Sequence, residues 1–149
     1  MNHDHDIKTL NSLIEKVIDS ADGYTEAAKA SAASPFASIF NRRGEERRRL
    51  TQQLQDEVRS LGGSPEDDGT LLAGAHRMFL NLRNSMSSDE VTVIDQVEAG
   101  EDHIKHKFED ALADRDVSQP VLLVIEQAYA VVKDGHDEIR DLKHSLHAQ

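Results

Sequence analysis

Four stretches of this chain repeat apolar residues at alternating steps of three and four, the spacing that lines one face of an α-helix. The first stripe is Ile7, Leu10, Ile14, Val17, Ala21, Tyr24 and Ala28, and the second is Phe36, Phe40, Leu50, Leu54 and Leu61. Ile94, Val97, Ile104, Phe108 and Ala111 make the third; Leu122, Ile125, Tyr129, Val132, Ile139 and Leu146 make the fourth. Four such stripes predict an all-α chain built as a four-helix bundle, a single domain over residues 1–149. The absence of Trp, with 4% aromatic and 30% charged residues, favours long helices over a sheet.

Breaks in the pattern set the expected boundaries. The first helix is predicted from about Asp4 to Ser34, where Pro35 disfavours helix in the residue before it. The second runs over about Pro35–Leu61 and stops at Gly62-Gly63-Ser64-Pro65, where Gly supplies a left-handed cap. A short amphipathic helix over about Thr70–Ser85 carries Leu72, Phe79 and Leu82. The third long helix covers about Asp89–Arg115 and the fourth about Pro120–His147.

Short turns make the first two helices antiparallel, and likewise the last two. The short helix of about 16 residues rises ~24 Å, enough to carry the chain back along the bundle. The second and third helices can therefore run parallel, joined by one long crossover, although an up-down-up-down path also fits.

Several polar residues fall on the inward stripes. The third helix's seam passes through 94, 97, 101, 104, 108 and 111, which makes Glu101 interior and Glu98 its border, with His103 and His106 in solvent. The fourth helix's seam, 122, 125, 129, 132, 136 and 139, turns His136 inward. The second helix points Arg43, Arg47 and Glu57 inward with Glu46 at the edge. Counting from the turns puts Glu98 and His136 at one level, and the crossover path brings Glu46 to that level, with Glu101 and Arg47 within a turn.

The motifs Asp22-Gly23-Tyr24, Leu61-Gly62-Gly63, Ala73-Gly74-Ala75-His76-Arg77, Glu98-Ala99-Gly100-Glu101-Asp102 and His136-Asp137-Glu138-Ile139-Arg140-Asp141-Leu142 occur in that order. In this the chain resembles a bacterial family of uncharacterised four-helix-bundle proteins in the ferritin-like superfamily, akin to the YciF-type stress proteins. The resemblance spans nearly the whole chain and implies a ferritin-like fold, with the short extra helix in the crossover, but no assigned reaction.

The superfamily's di-iron pattern takes a Glu from each of two helices and Glu-x-x-His from each of the other two. Here the first helix offers no inward carboxylate, Arg49 follows Glu46 where His would stand, and Lys133 precedes His136 where Glu would stand. Glu46, Glu98, Glu101 and His136 remain as a candidate metal set, for iron or zinc. The competing reading needs no cofactor: a buried carboxylate must be paired, and Arg43 or Arg47 can fork onto Glu98 or Glu101 while His136 adds a hydrogen bond. The expectation is a small stress-associated protein without catalysis, self-associating as a dimer, its polar cluster structural.

Other features exclude or weaken further classes. A net charge of -11 argues against nucleic acid and anionic membranes as partners, so the arginine-rich run at 42–49 reads as a solvated face. The acidic MNHDHD start is no secretory signal, and Val121–Ile125 is too short to span a bilayer, so a cytoplasmic protein is expected. With no Cys there is no disulfide or thiolate chemistry. His3 and His5 could hold a divalent ion loosely, but a frayed terminus is the plainer reading. Tyr24 and Tyr129 read as core aromatics and His76 as a packed histidine. A third class, an interaction module, would show an apolar patch at Leu71, Met78 and Leu82.

Overall fold

Helix α1 spans Asp4–Ala30, and its buried residues Leu10, Leu13, Ile14, Val17, Ala21, Tyr24, Ala27 and Ala28 follow the helical period. Helices α2 (Phe36–Ser60), α3 (Glu90–Leu112) and α4 (Gln119–His147) complete the bundle. This computed structural model describes residues 3–69 and 90–147. The expected short helix, with His76 and the patch at Leu71, Met78 and Leu82, lies outside the described residues.

Local chemistry ends each helix. The first stops at Ala30, four residues before Ser34, in a run of turns, and the Ser34 hydroxyl accepts the Phe36 N–H at 3.1 Å to open α2. Past Leu61, Gly62 takes φ of +86°; its N–H donates to the Arg59 carbonyl and that of Gly63 to the Val58 carbonyl, both at 3.0 Å. This is a Schellman cap, and it places glycine at the left-handed position that side chains resist. Helix α3 stops at Leu112 rather than Arg115, because the Asp114 carboxylate accepts the Asp116 N–H at 2.9 Å and turns the chain locally.

Contacts between helices give their directions. His5 near the start of α1 meets Asp114 beyond the end of α3 at 2.8 Å, while Tyr24 and Ala28 pack with Val93 and Ile94 near the start of α3. Thus α1 and α3 are antiparallel neighbours. Arg42 reaches Glu138 and Arg47 reaches the Val132 carbonyl, so α2 and α4 are antiparallel too. Because α1 and α2 form a hairpin, α2 and α3 run parallel. The chain leaves α2 along α1: Asn11 donates to the Ser64 carbonyl at 3.1 Å and accepts from the Glu66 N–H at 2.8 Å, and Gly69 lies against Asp19.

The core has two apolar parts. One holds Leu10, Ile14, Val17, Leu50, Leu54, Ile104, Phe108, Ile125 and Val132, and the other holds Tyr24, Phe40, Val93, Ile94, Val97 and Ile139. A polar layer of Ser20, Arg47 and Glu101, beside Gly135, lies between them. The inward seam of α4 is Val121, Ile125, Ala128, Val132, Gly135 and Ile139: Ile125, Val132 and Ile139 face inward as expected, while Leu122, Tyr129 and His136 give way to the residue before each. His136 is therefore not a core residue; Gly135 holds that slot because the Arg47 guanidinium fills the space a side chain would need. In α2, Val58 rather than Glu57 is the fully buried residue, since the interior there is wholly apolar and excludes a carboxylate.

Candidate functional site

The polar layer is built around Arg47, whose side chain is 0% exposed, and Glu101, at 2%. Arg47 lies on the α2 stripe between Arg43 and Leu50, and Glu101 stands on the α3 stripe between Val97 and Ile104. The guanidinium donates to both carboxylate oxygens, Nη1 to Oε1 at 3.0 Å and Nη2 to Oε2 at 2.8 Å. Such a planar fork is the strongest pairing open to these groups. Nη1 also donates to the Ser20 hydroxyl at 2.8 Å and Nη2 to the Val132 carbonyl at 3.3 Å, so three helices and the ion pair share one guanidinium.

Tyr24 covers this pair, with the Arg47 Cζ 5.6 Å from its ring centroid, a cation–π distance. Its hydroxyl and the Arg47 Nε are buried without a hydrogen-bond partner among the described residues. Burial, reinforced by the Glu101 charge, raises the Tyr24 pKa well above its ordinary value, so the phenol stays neutral. Burial works against the charge on Arg47, but the Glu101 carboxylate outweighs it and the guanidinium stays protonated.

A second arginine lies outside the layer. Arg43, almost buried, donates to Glu138 at 2.7 Å, Glu46 at 3.0 Å and Asp134 at 3.2 Å. Burial opposes its charge; Glu138 and Glu46 more than compensate and raise its pKa. Arg42 shares Glu138, with both contacts at 2.9 Å.

The expected set of Glu46, Glu98, Glu101 and His136 is thus divided among four arrangements. Glu101 takes Arg47, Glu46 takes Arg43, and Glu98 accepts from Lys143 at 2.9 Å. His136, 12% exposed, has Nε2 2.7 Å from Asp102 and Nδ1 3.1 Å from Asp137. No three of these four bring ligand atoms within 4.8 Å of one another. The described residues that do so are His5, Asp114 and Asp116. Sequence reasoning put His103 and His106 in solvent and Glu98 at the border, and so the structure has them. It missed Ser20, whose position beside the Ala21 stripe was the available signal, and Lys143, Asp102 and Asp114, which no stripe marks.

Helix α3 bears charges on its outer faces that hold α4. Tyr129 donates to Glu109 at 2.7 Å, and Lys105 donates to the same carboxylate at 3.0 Å. The Tyr129 contact ties α4 to the outer side of α3. No described helix is long and apolar enough to cross a membrane. A comparison with curated proteins gives no match. A family model described as a domain of unknown function (DUF2383) matches residues 5–114, which cover α1 from its second residue, α2, α3 and both partners of the central ion pair, and the chain belongs to that family.

Proposed function

We propose that this protein is a ferritin-like, non-catalytic, stress-associated bundle in which an ion pair takes the place of a metal centre. One observation carries the reading: the guanidinium of Arg47 occupies the middle of the bundle and saturates both oxygens of Glu101. A cation placed beside that carboxylate would meet a fixed positive charge, and at this level α1 adds Ser20 rather than a carboxylate; its buried Asp6 lies in the first turn and takes the Ser118 N–H. The donor set does not fit a di-iron centre, because Glu46, Glu98 and His136 are held by partners of their own. The parallel course of α2 and α3, with one long crossover, supports the ferritin-like reading. The stress association, cytoplasmic location and dimeric assembly belong to the same proposal and rest on the resemblance and the acidic, cysteine-free composition.

Elemental analysis of protein from iron- and zinc-supplemented medium, alongside Glu98→Ala, Glu101→Ala and His136→Ala variants, tests this. The proposal expects no stoichiometric metal that depends on these residues. A bound ion lost in those variants would overturn it in favour of a metal protein using Glu46, Glu98, Glu101 and His136. Sedimentation velocity tests the dimer directly.

A further inference from the structure

We propose that His5, Asp114 and Asp116 form a site for a divalent transition-metal ion, zinc being the representative case, which ties the start of α1 to the α3–α4 turn. Their candidate ligand atoms, one imidazole nitrogen and two carboxylate oxygens, lie within 4.8 Å of one another. The residues come from places 109 positions apart, and His5 Nε2 already lies 2.8 Å from Asp114 Oδ2. An imidazole nitrogen with two carboxylates is a borderline donor set suited to zinc, cobalt or nickel rather than to magnesium or calcium. Three protein ligands leave the fourth tetrahedral position to water.

The chain has other histidine–carboxylate pairs, and each lacks something this one has. The rings of His136 face Asp102 and Asp137 from opposite nitrogens, so those carboxylates do not converge. Asp95, the partner of His147, also faces Lys143 at 3.7 Å, and Glu109, near His106, is held by Lys105 and Tyr129. Asp6 lies 3.8 Å from His3, and no third ligand atom converges with that pair among the described residues. Among the described residues no lysine or arginine pairs with Asp114 or Asp116, and Asp114 faces the His5 imidazole. The carboxylates follow the C-terminus of α3, whose free carbonyls add negative potential.

The frame is built before any ion arrives. Asp6 is buried, and its bond to Ser118 fixes the first turn of α1 against the α3–α4 turn. Coordination replaces the His5–Asp114 hydrogen bond: a hydrogen on Nε2 either moves to Nδ1 or leaves to solvent, and the ion accepts the freed lone pair.

The test is calorimetric titration of the untagged full chain with ZnCl2 at pH 7, repeated with CoCl2 while recording visible absorption. One equivalent is expected to bind, with a cobalt spectrum of mixed nitrogen and oxygen ligation and a melting point raised by the ion. His5→Gln and Asp116→Asn should each weaken binding by about tenfold or more, whereas Asp102→Asn should leave it unchanged. No heat at about 1 mM ion would overturn the proposal. Equal affinity in both site variants, an adventitious ion only, would overturn it as well. Loss on Glu98→Ala with His5→Gln unaffected would place the ion elsewhere, and so separates this proposal from the reading of the bundle centre.

Discussion

Gly135 on α4 and Arg47 on α2 are matched in size: a Cβ added at the glycine would stand 2.5 Å from the arginine Nη2. Glycine inside a helix usually costs roughly 0.5–1 kcal/mol relative to alanine. Here the sign should reverse. Gly135→Ala is expected to destabilise the protein by about 1–3 kcal/mol, the range of overpacking, because the guanidinium is pinned by Glu101 and cannot retreat. In an Arg47→Met background the same substitution should become neutral or favourable. Urea unfolding of the four proteins checks this, and an unchanged cost in the Met background would refute the size match.

The central ion pair should be strongly non-additive. Arg47→Ala or Glu101→Ala each leaves a charge buried alone, at a cost of about 3–5 kcal/mol. The double variant Arg47→Met/Glu101→Leu replaces both charges with apolar groups of similar size and should recover most of that loss. If the double variant is as unstable as the sum of the singles, the pair is not the unit that the geometry indicates.

Tyr24 presents an inverted case. Its hydroxyl is buried without a partner among the described residues, so Tyr24→Phe removes a desolvated group and keeps the ring over Arg47. Stability should stay within about 0.5 kcal/mol of the parent or rise, whereas losing a satisfied hydroxyl costs about 1 kcal/mol. In a pH titration followed at the phenolate absorption, Tyr24 should ionise only as the fold is lost, because burial and Glu101 hold its pKa high.

Much of this was legible in the chain. The four stripes locate the helices, and the interruptions of the second and third stripes at Arg47 and Glu101 mark the interior pair. The fourth stripe misleads because Leu122 and Tyr129 are large and catch attention, while the residues that face the core are Ala128 and Gly135, which carry little hydrophobic signal. Glu57 beside Val58 is a similar one-position error. Helix ends differ where side chains rather than apolar spacing decide them, as Asp114 does after α3. Ion pairs across solvent-facing surfaces, such as Glu98 with Lys143, follow from helix rotation and leave no trace in a stripe.

Asp137 gives the acid limb of the stability curve a local origin. Lys133, followed by His136, holds its carboxyl down to about 2, below the ordinary 3.8. A depressed folded-state value means that the stabilising contribution is complete above about pH 4 and fades as pH falls toward 2. Asp137 is well solvated, so screening keeps the contribution small. Carboxyl NMR titration should find its midpoint below the ordinary aspartate value of 3.8, and Lys133→Ala should move it upward. A midpoint unaffected by Lys133→Ala would remove lysine as the cause.

The Schellman cap makes a separate and local prediction. At Gly62, φ of +86° is strained for any side chain even though the space around it is open, so Gly62→Ala should cost about 1–2 kcal/mol. Hydrogen exchange should show the loss concentrated in the last turn of α2, in the amides of Leu61, Gly62 and Gly63. An equal loss of protection in α4 would indicate a different origin.

The central pair also orders the assembly of the fold. Arg47 and Glu101 are 54 residues apart and belong to different hairpins, α1–α2 and α3–α4. Each hairpin forms from near-neighbour contacts, and these are quick to make. Alone, each exposes its own member of this pair among apolar residues, which blocks tight packing against any surface that lacks the opposite charge. Docking one hairpin on the other is then a lock with two halves. A slip of one helical turn, about 5.4 Å, parts the charges, so misregistered encounters are rejected while they are still loose.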